Sequence, residues 1–285
     1  MMRKFYSFAG VDICLESETD HPFDDGIHLA AFQASAREHC HKYTLSLVPQ
    51  LDAPVGNHIH TTNNQLIYRH SQGSVCYHGI ISGNWESATT RVDHRGQIHH
   101  VQLNSRIYKD RLSEKAILNA LGVENLVAQA GGFILHASYI VYNGMGILFT
   151  APSGTGKSTQ AELWHKFRDA QIVNGDRAVV RLTDGSASVW GFPFCGSSSY
   201  CHNVTAPLTA IVYLSQAPQT TIQKLRGYQA FRYVWEGVNV HHWDPENVAL
   251  VSKTTEQLLQ QVPVYHLACT PDESAVSALE KTLTK

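Results

Sequence analysis

Ile147-Leu148-Phe149-Thr150-Ala151-Pro152-Ser153-Gly154-Thr155-Gly156-Lys157-Ser158-Thr159 is an apolar run that leads into a glycine-rich turn ending in Lys-Ser. Turns of the form G-x-x-x-x-G-K-[ST] aim backbone N–H groups inward, and the helix that follows adds its positive dipole end. The candidate phosphate cradle is therefore Pro152, Ser153, Gly154, Thr155, Gly156, Lys157, Ser158 and Thr159. Lys157 is placed to reach the outer phosphates of a nucleotide, and the Ser158 hydroxyl to hold Mg²⁺. Ala151 stands where the pattern has its first glycine, a position that accepts a small side chain if its φ is negative. A helix is expected over residues 160–168.

Upstream, residues 133–142 read as a strand, Asn143-Gly144 as a turn and residues 146–150 as a second strand. Two such runs joined by Asn-Gly signal a β-hairpin. The loop is thus expected to leave an antiparallel hairpin, whereas in Ras-like and recA-like folds it leaves a parallel strand. Downstream, Gln171-Ile172-Val173-Asn174-Gly175-Asp176 is an apolar strand that ends in a carboxylate. After a phosphate-binding loop and its helix, such a carboxylate is where Mg²⁺ is held or a hydroxyl deprotonated. Arg177 and Arg181 follow, either as groups that neutralise developing charge or as ordinary strand-surface arginines.

His136, the 151–159 loop and residues 173–176, in this order and spacing, resemble the catalytic core of HPr serine kinases. They are more similar still to the HPr kinase-like proteins of peptide-modification and small-molecule pathways. That superfamily shares its nucleotide-binding core with phosphoenolpyruvate carboxykinase. The resemblance runs from about residue 114 to the C-terminus and includes residues 261–267 and Pro271-Asp272-Glu273. It implies an α+β or α/β fold with a carboxykinase-like P-loop core, a mixed sheet flanked by helices. It also implies ATP and Mg²⁺, with Lys157, Asp176 and His136 as the catalytic set and Ser158 and Asp176 as metal ligands. Asp176 matches the second acid of a paired Asp-Asp, and Gly175 stands where the first would be. His136 would contact the γ-phosphate or the acceptor, or else be a core-edge histidine bonded to backbone. The glycine- and arginine-rich segment of HPr kinases has no counterpart beyond Arg226-Gly227.

The activity implied is transfer of the γ-phosphoryl group to a Ser/Thr-type hydroxyl on a peptide, a protein or a small molecule. Two alternatives stand beside it. One is a carboxykinase-like reaction on a small acid. The other is a nucleotide-binding sensor without catalysis, which the glycine at 175 favours.

The chain has 285 residues, 43% of them hydrophobic, enough for one large or two modest domains. The expected division is a β-rich module over 1–110 and the nucleotide-binding kinase domain over 111–285. A formal net charge of −2 gives no bulk attraction to nucleic acid or to anionic membrane. The first ten residues lack the apolar core of a secretion signal, so a cytoplasmic protein is expected, with homo-oligomerisation left open. Six cysteines are scattered without C-x-x-C spacing, which favours reduced thiols. The seventeen histidines, with pairs at 58/60, 99/100 and 241/242, show no zinc-like spacing with cysteine.

Within 1–110, period-2 alternation marks strands at 11–15 and 43–47, and turn signals separate further candidates at 65–70, 75–81, 89–93 and 97–104, expected as an antiparallel sheet or sandwich. Residues 21–26 and 51–64 read as loops, and 113–130 as a helix interrupted at Gly122. A hairpin is expected over 179–190 and a Gly-rich loop over 191–201, which the resemblance to the kinase-like proteins implies lies near the site. Cys195 in that loop reads as a packing thiol. A buried strand over 210–214 and helices over 228–236, 245–261 and 273–284 complete the expectation.

Overall fold

The computed structural model describes residues 2–17, 26–53, 55–62, 65–70, 73–81, 84–93, 98–106, 118 and 121–284. They form two units, Met1–Val123 and Glu124–Lys285. The boundary expected near residue 110 and most of the 113–130 helix lie outside the described residues.

The first unit carries β1 (Met2–Phe8), β2 (Val11–Ser17), α1 (Gly26–Ala30), β3 (His41–Val48), β4 (Asn57–Thr61), β5 (Gln65–His70), β6 (Gly73–Ile81), β7 (Asn84–Asp93) and β8 (Ile98–Asn104). The strands make one sheet in the order β1-β2-β3-β8-β7-β6-β5-β4. Ala9 and Gly10, at φ 48° and 73°, make the two-residue turn that closes the β1–β2 hairpin. The sheet is not purely antiparallel: β3 runs parallel to both β2 and β8. Side-chain alternation is the same in both pairings, so the pattern that locates these strands is silent on their direction. β4 lies inside the expected 51–64 loop; its mostly exposed residues lack the apolar alternation that marks a strand.

The second unit carries α2 (Glu124–Gln129), β9 (Gly132–Tyr142), β10 (Met145–Thr150), α3 (Lys157–Arg168), β11 (Gln171–Asn174), β12 (Arg177–Thr183), β13 (Ser186–Trp190), β14 (Thr205–Gln216), β15 (Thr221–Leu225), α4 (Gly227–Trp235), β16 (Val238–Asn239), α5 (Pro245–Leu259), β17 (Val264–Cys269) and α6 (Glu273–Leu283). The ladder runs β10-β9-β12-β13-β14-β17-β15, and β10 also pairs with β14, so five strands close a ring. This is a mixed α/β unit on a large mixed sheet.

The sheet is covered on both faces, which is why its central strands are apolar throughout. Along β10, Leu148 turns to a core shared with Ala128 of α2, Val234 of α4 and Val251 and Leu258 of α5. Its neighbours Ile147 and Phe149 turn to the opposite core, with Trp164 of α3 and Val276 and Leu279 of α6. α3 is therefore clamped against the strand that precedes the loop, and the loop is held at both ends. Among the described residues no helix is long and apolar enough to cross a membrane.

Candidate phosphate-binding site

Asn143 and Gly144 both have positive φ, 49° and 76°, the backbone that a two-residue hairpin of right-handed twist requires. β10 pairs antiparallel with β9 from Met145↔Tyr142 to Thr150↔Ala137 and, on its other side, parallel with β14. The loop thus leaves a hairpin, as the sequence indicates, and a parallel neighbour adjoins it as well.

In the loop Gly154 and Gly156 stand at φ 79° and 119°. A Cβ at Gly154 would meet no described atom within 4 Å, so glycine is needed there for its backbone and not for space. Ala151 keeps a negative φ and is buried, which explains why a methyl group is accepted where the pattern has glycine. α3 starts at Lys157, three residues before its expected start, with Gly156 as N-cap and no described side chain capping it. Its first-turn N–H groups are therefore left for an external acceptor. Lys157 is folded back on the loop, its Nζ donating to the carbonyls of Ala151 at 3.0 Å and Pro152 at 3.5 Å. Burial lowers its pKa, and the charge of Asp176 opposes that shift.

Asp176 is fixed by the turn before it. Asn174 Oδ1 accepts from the N–H groups of Asp176 and Arg177, both at 2.9 Å, while Nδ2 donates to the Phe192 carbonyl at 2.8 Å. The Asp176 carboxylate meets His136 Nε2 at 3.3 Å and Arg177 Nε at 3.4 Å. Burial raises its pKa, but the His136 hydrogen bond and the charges of Arg177, His136 and Lys157 outweigh burial and leave it lowered. Ser158 Oγ donates to the Gly175 carbonyl at 3.3 Å. The structure thus brings Ser158, Asp176 and His136 together, with Lys157 one residue before Ser158. Arg181 is tied elsewhere, its Nε and Nη2 donating to the Ala130 carbonyl at 3.0 and 2.7 Å. Arg177 stays beside Asp176 and lies 4.1 Å over the Phe194 ring.

Ser158 and Asp176 share a cavity of about 330 Å³ with Glu162, Ser197, Ser198 and Tyr200. The loop over 191–201 forms its outer wall, and its packing explains the glycine at 175. A Cβ at Gly175 would run into the Ser198 hydroxyl and lie 2.6 Å from Ser198 Cβ. Gly196, at φ 60°, presses on the other side: a Cβ there would be 2.9 Å from Asp176 Cγ. Sequence reasoning did not pick out Glu162, and reached Ser198 and Tyr200 only as part of the 191–201 loop. For Glu162 a signal existed, since it follows Ser158 by four residues on the same helical face. It holds the Tyr200 hydroxyl and thereby raises the Tyr200 pKa. A second cavity of about 600 Å³ adjoins Gly154 and Gly156 and extends to the carboxyl ends of β14 and β17.

The family model described as SynChlorMet cassette protein ScmC matches residues 115–284, well over half of the sequence and the whole of the site. The chain belongs to the ScmC family. No curated protein matches this ScmC-family chain. Among solved structures, the HPr(Ser) kinase/phosphatase from Coxiella burnetii is similar at 12% identity and a TM-score of 0.30, over 53% of this chain and 93% of that one.

Proposed function

We propose that this chain is an ATP- and Mg²⁺-dependent kinase with a carboxykinase-like core that transfers the γ-phosphoryl group to a hydroxyl. One observation carries the reading: Lys157, Ser158 and a carboxylate held ionised by His136 and Arg177 gather at an uncapped helix N-terminus behind a glycine turn.

The residues fit the groups they would hold. The positive-φ glycines and the free first-turn amides suit a polyphosphate, and the donor set of hydroxyl and carboxylate oxygen suits Mg²⁺ rather than a softer ion. Ser158 would hold Mg²⁺, which would supply charge neutralisation to the phosphates, and Asp176 either holds that ion through water or serves as the base toward the acceptor. Lys157 leaves its carbonyl partners for the phosphate oxygens. The acceptor hydroxyl enters from the smaller cavity, its oxygen bonds to the γ-phosphorus as the bond to the leaving diphosphate breaks, and in the second role Asp176 takes its proton. His136 orients that carboxylate. Since the transition state of such transfers is loose, positioning and electrostatics do most of the work. The acceptor is a hydroxyl-bearing peptide, protein or small molecule.

A second reading, a nucleotide-binding sensor without catalysis, is favoured by Gly175, where Ser198 leaves no room for the first acid of the pair. ATP turnover with Mg²⁺, run against serine, threonine, small alcohols and Ser-containing peptides, separates the two. ADP release that depends on one acceptor, with a matching gain of one phosphate in its mass, supports the kinase. Tight ATP binding with no acceptor-dependent turnover moves the sensor ahead.

A further inference from the structure

Gln160 lies one turn into α3 and lines the larger cavity, yet it is only 3% exposed. Its Nε2 donates to Cys269 Sγ at 3.3 Å, a weak acceptor. Its Oε1 has no hydrogen-bond partner among the described residues. A buried amide oxygen without a donor is unfavourable, and folded chains rarely leave one so. The terminal torsion of glutamine is soft, so the amide can turn toward a group that fills the cavity.

The rest of the cavity defines that group. It opens onto Gly154 and Gly156 of the phosphate cradle, and Leu214, Ala217, Pro218 and Pro271 give it apolar walls. It lies past the carboxyl ends of β14 and β17, next to the strand that carries the loop, the usual place for a ligand in a sheet of this kind. A flat, apolar ring with polar edges, joined to phosphates, matches these walls.

Resting on the nucleotide-binding reading above, we infer that Gln160 reads the base and that the base is a 6-aminopurine. The amide Oε1 accepts from the exocyclic amino group while Nε2 exchanges the Cys269 sulfur for the adjacent ring nitrogen. This is the bidentate match between glutamine and adenine. A 6-oxopurine presents an acceptor in place of that donor. To meet it the amide must turn over, which sets Oε1 against the adjacent ring nitrogen, N7, a second acceptor.

The test is titration calorimetry of ATP, GTP and purine riboside triphosphate, which lacks the 6-amino group, each with Mg²⁺. The proteins are the wild-type chain, Gln160→Leu and Gln160→Met, the last an unbranched replacement that keeps the helix well packed. The wild type is expected to bind ATP about tenfold or more tightly than either analogue, a gap of the size one bidentate pair gives. In both variants ATP falls to the level of purine riboside triphosphate, whose own affinity changes little. An ATP-to-GTP ratio near one in the wild type, or a ratio that neither variant moves, overturns the inference and leaves nucleotide binding standing. Failure of all three nucleotides to bind the wild type overturns both.

Discussion

Gly175 and Ser198 compete for one volume. Alanine at 175 forces Ser198 and its loop outward, and overpacking of this kind costs roughly 1–3 kcal/mol. Gly175→Ala should lower the unfolding free energy from urea melts by that amount, and Ser198→Gly in the same chain should recover most of it. If the two effects simply add, the residues do not share the space. Asp176 sets a pH dependence. Its folded pKa lies below the ordinary 3.8, so its stabilisation is fully present above 3.8 and is lost as pH falls through the lower, folded value. Asp176→Asn should therefore be less stable than wild type at neutral pH, with the gap closing below 3.8 in urea melts run across pH. Lys157, Ser158 and Asp176 can be singled out as candidates from sequence, because each lies in a local pattern with its own chemistry. Ser198 and Gln160 matter only through what the chain folds against them, Gly175 in one case and Cys269 in the other, and such pairings are not written in spacing.

The β9–β10 hairpin was readable because Asn143-Gly144 supplies the two positive φ values that its turn needs. Gly144→Ala tests this directly. A Cβ at Gly144 meets no described atom within 4 Å, so the cost is conformational, about 1 kcal/mol, read as a lower melting temperature with no change in nucleotide affinity. A larger loss, or weaker binding, would show that the turn sets the loop geometry as well. α4, α5 and α6 fall within two residues of their expected ends, helped in α5 and α6 by the capping residues Asp244 and Asp272. β15 was not visible: with Thr221, Gln223 and Lys224 exposed and Leu225 buried, its residues follow no period-2 rule. β17 lies parallel to β14 and antiparallel to β15, an arrangement fixed by contacts between segments far apart in the chain and not by its own alternation.

At the scale of the molecule, α3 joins the proposed nucleotide site to the stability of the second unit. Trp164 fills the core beneath the loop helix, and Arg168 at its end donates to Glu280 of α6 at 2.7 Å. Glu280 also accepts from the Tyr142 hydroxyl on β9 at 2.6 Å, so the helix is tied to the sheet and to α6 at its far end. A ligand seated at the N-terminus of α3 therefore binds the folded unit and not the unfolded chain. Mass action then gives about 2.7 kcal/mol of added stability at a hundred times Kd, or roughly 5–10 °C in Tm for a unit of this size. Lys157→Ala should lose most of this shift, and the comparison must be of shifts rather than of absolute Tm, because Lys157 also bonds the Ala151 carbonyl in the free protein. A shift in Lys157→Ala as large as in wild type would mean that the nucleotide stabilises the chain from a place other than the loop. Loss of the shift in Lys157→Ala with its retention in Gln160→Leu, at concentrations raised to match the weaker Kd, would separate the residue that holds the phosphates from the one that reads the base.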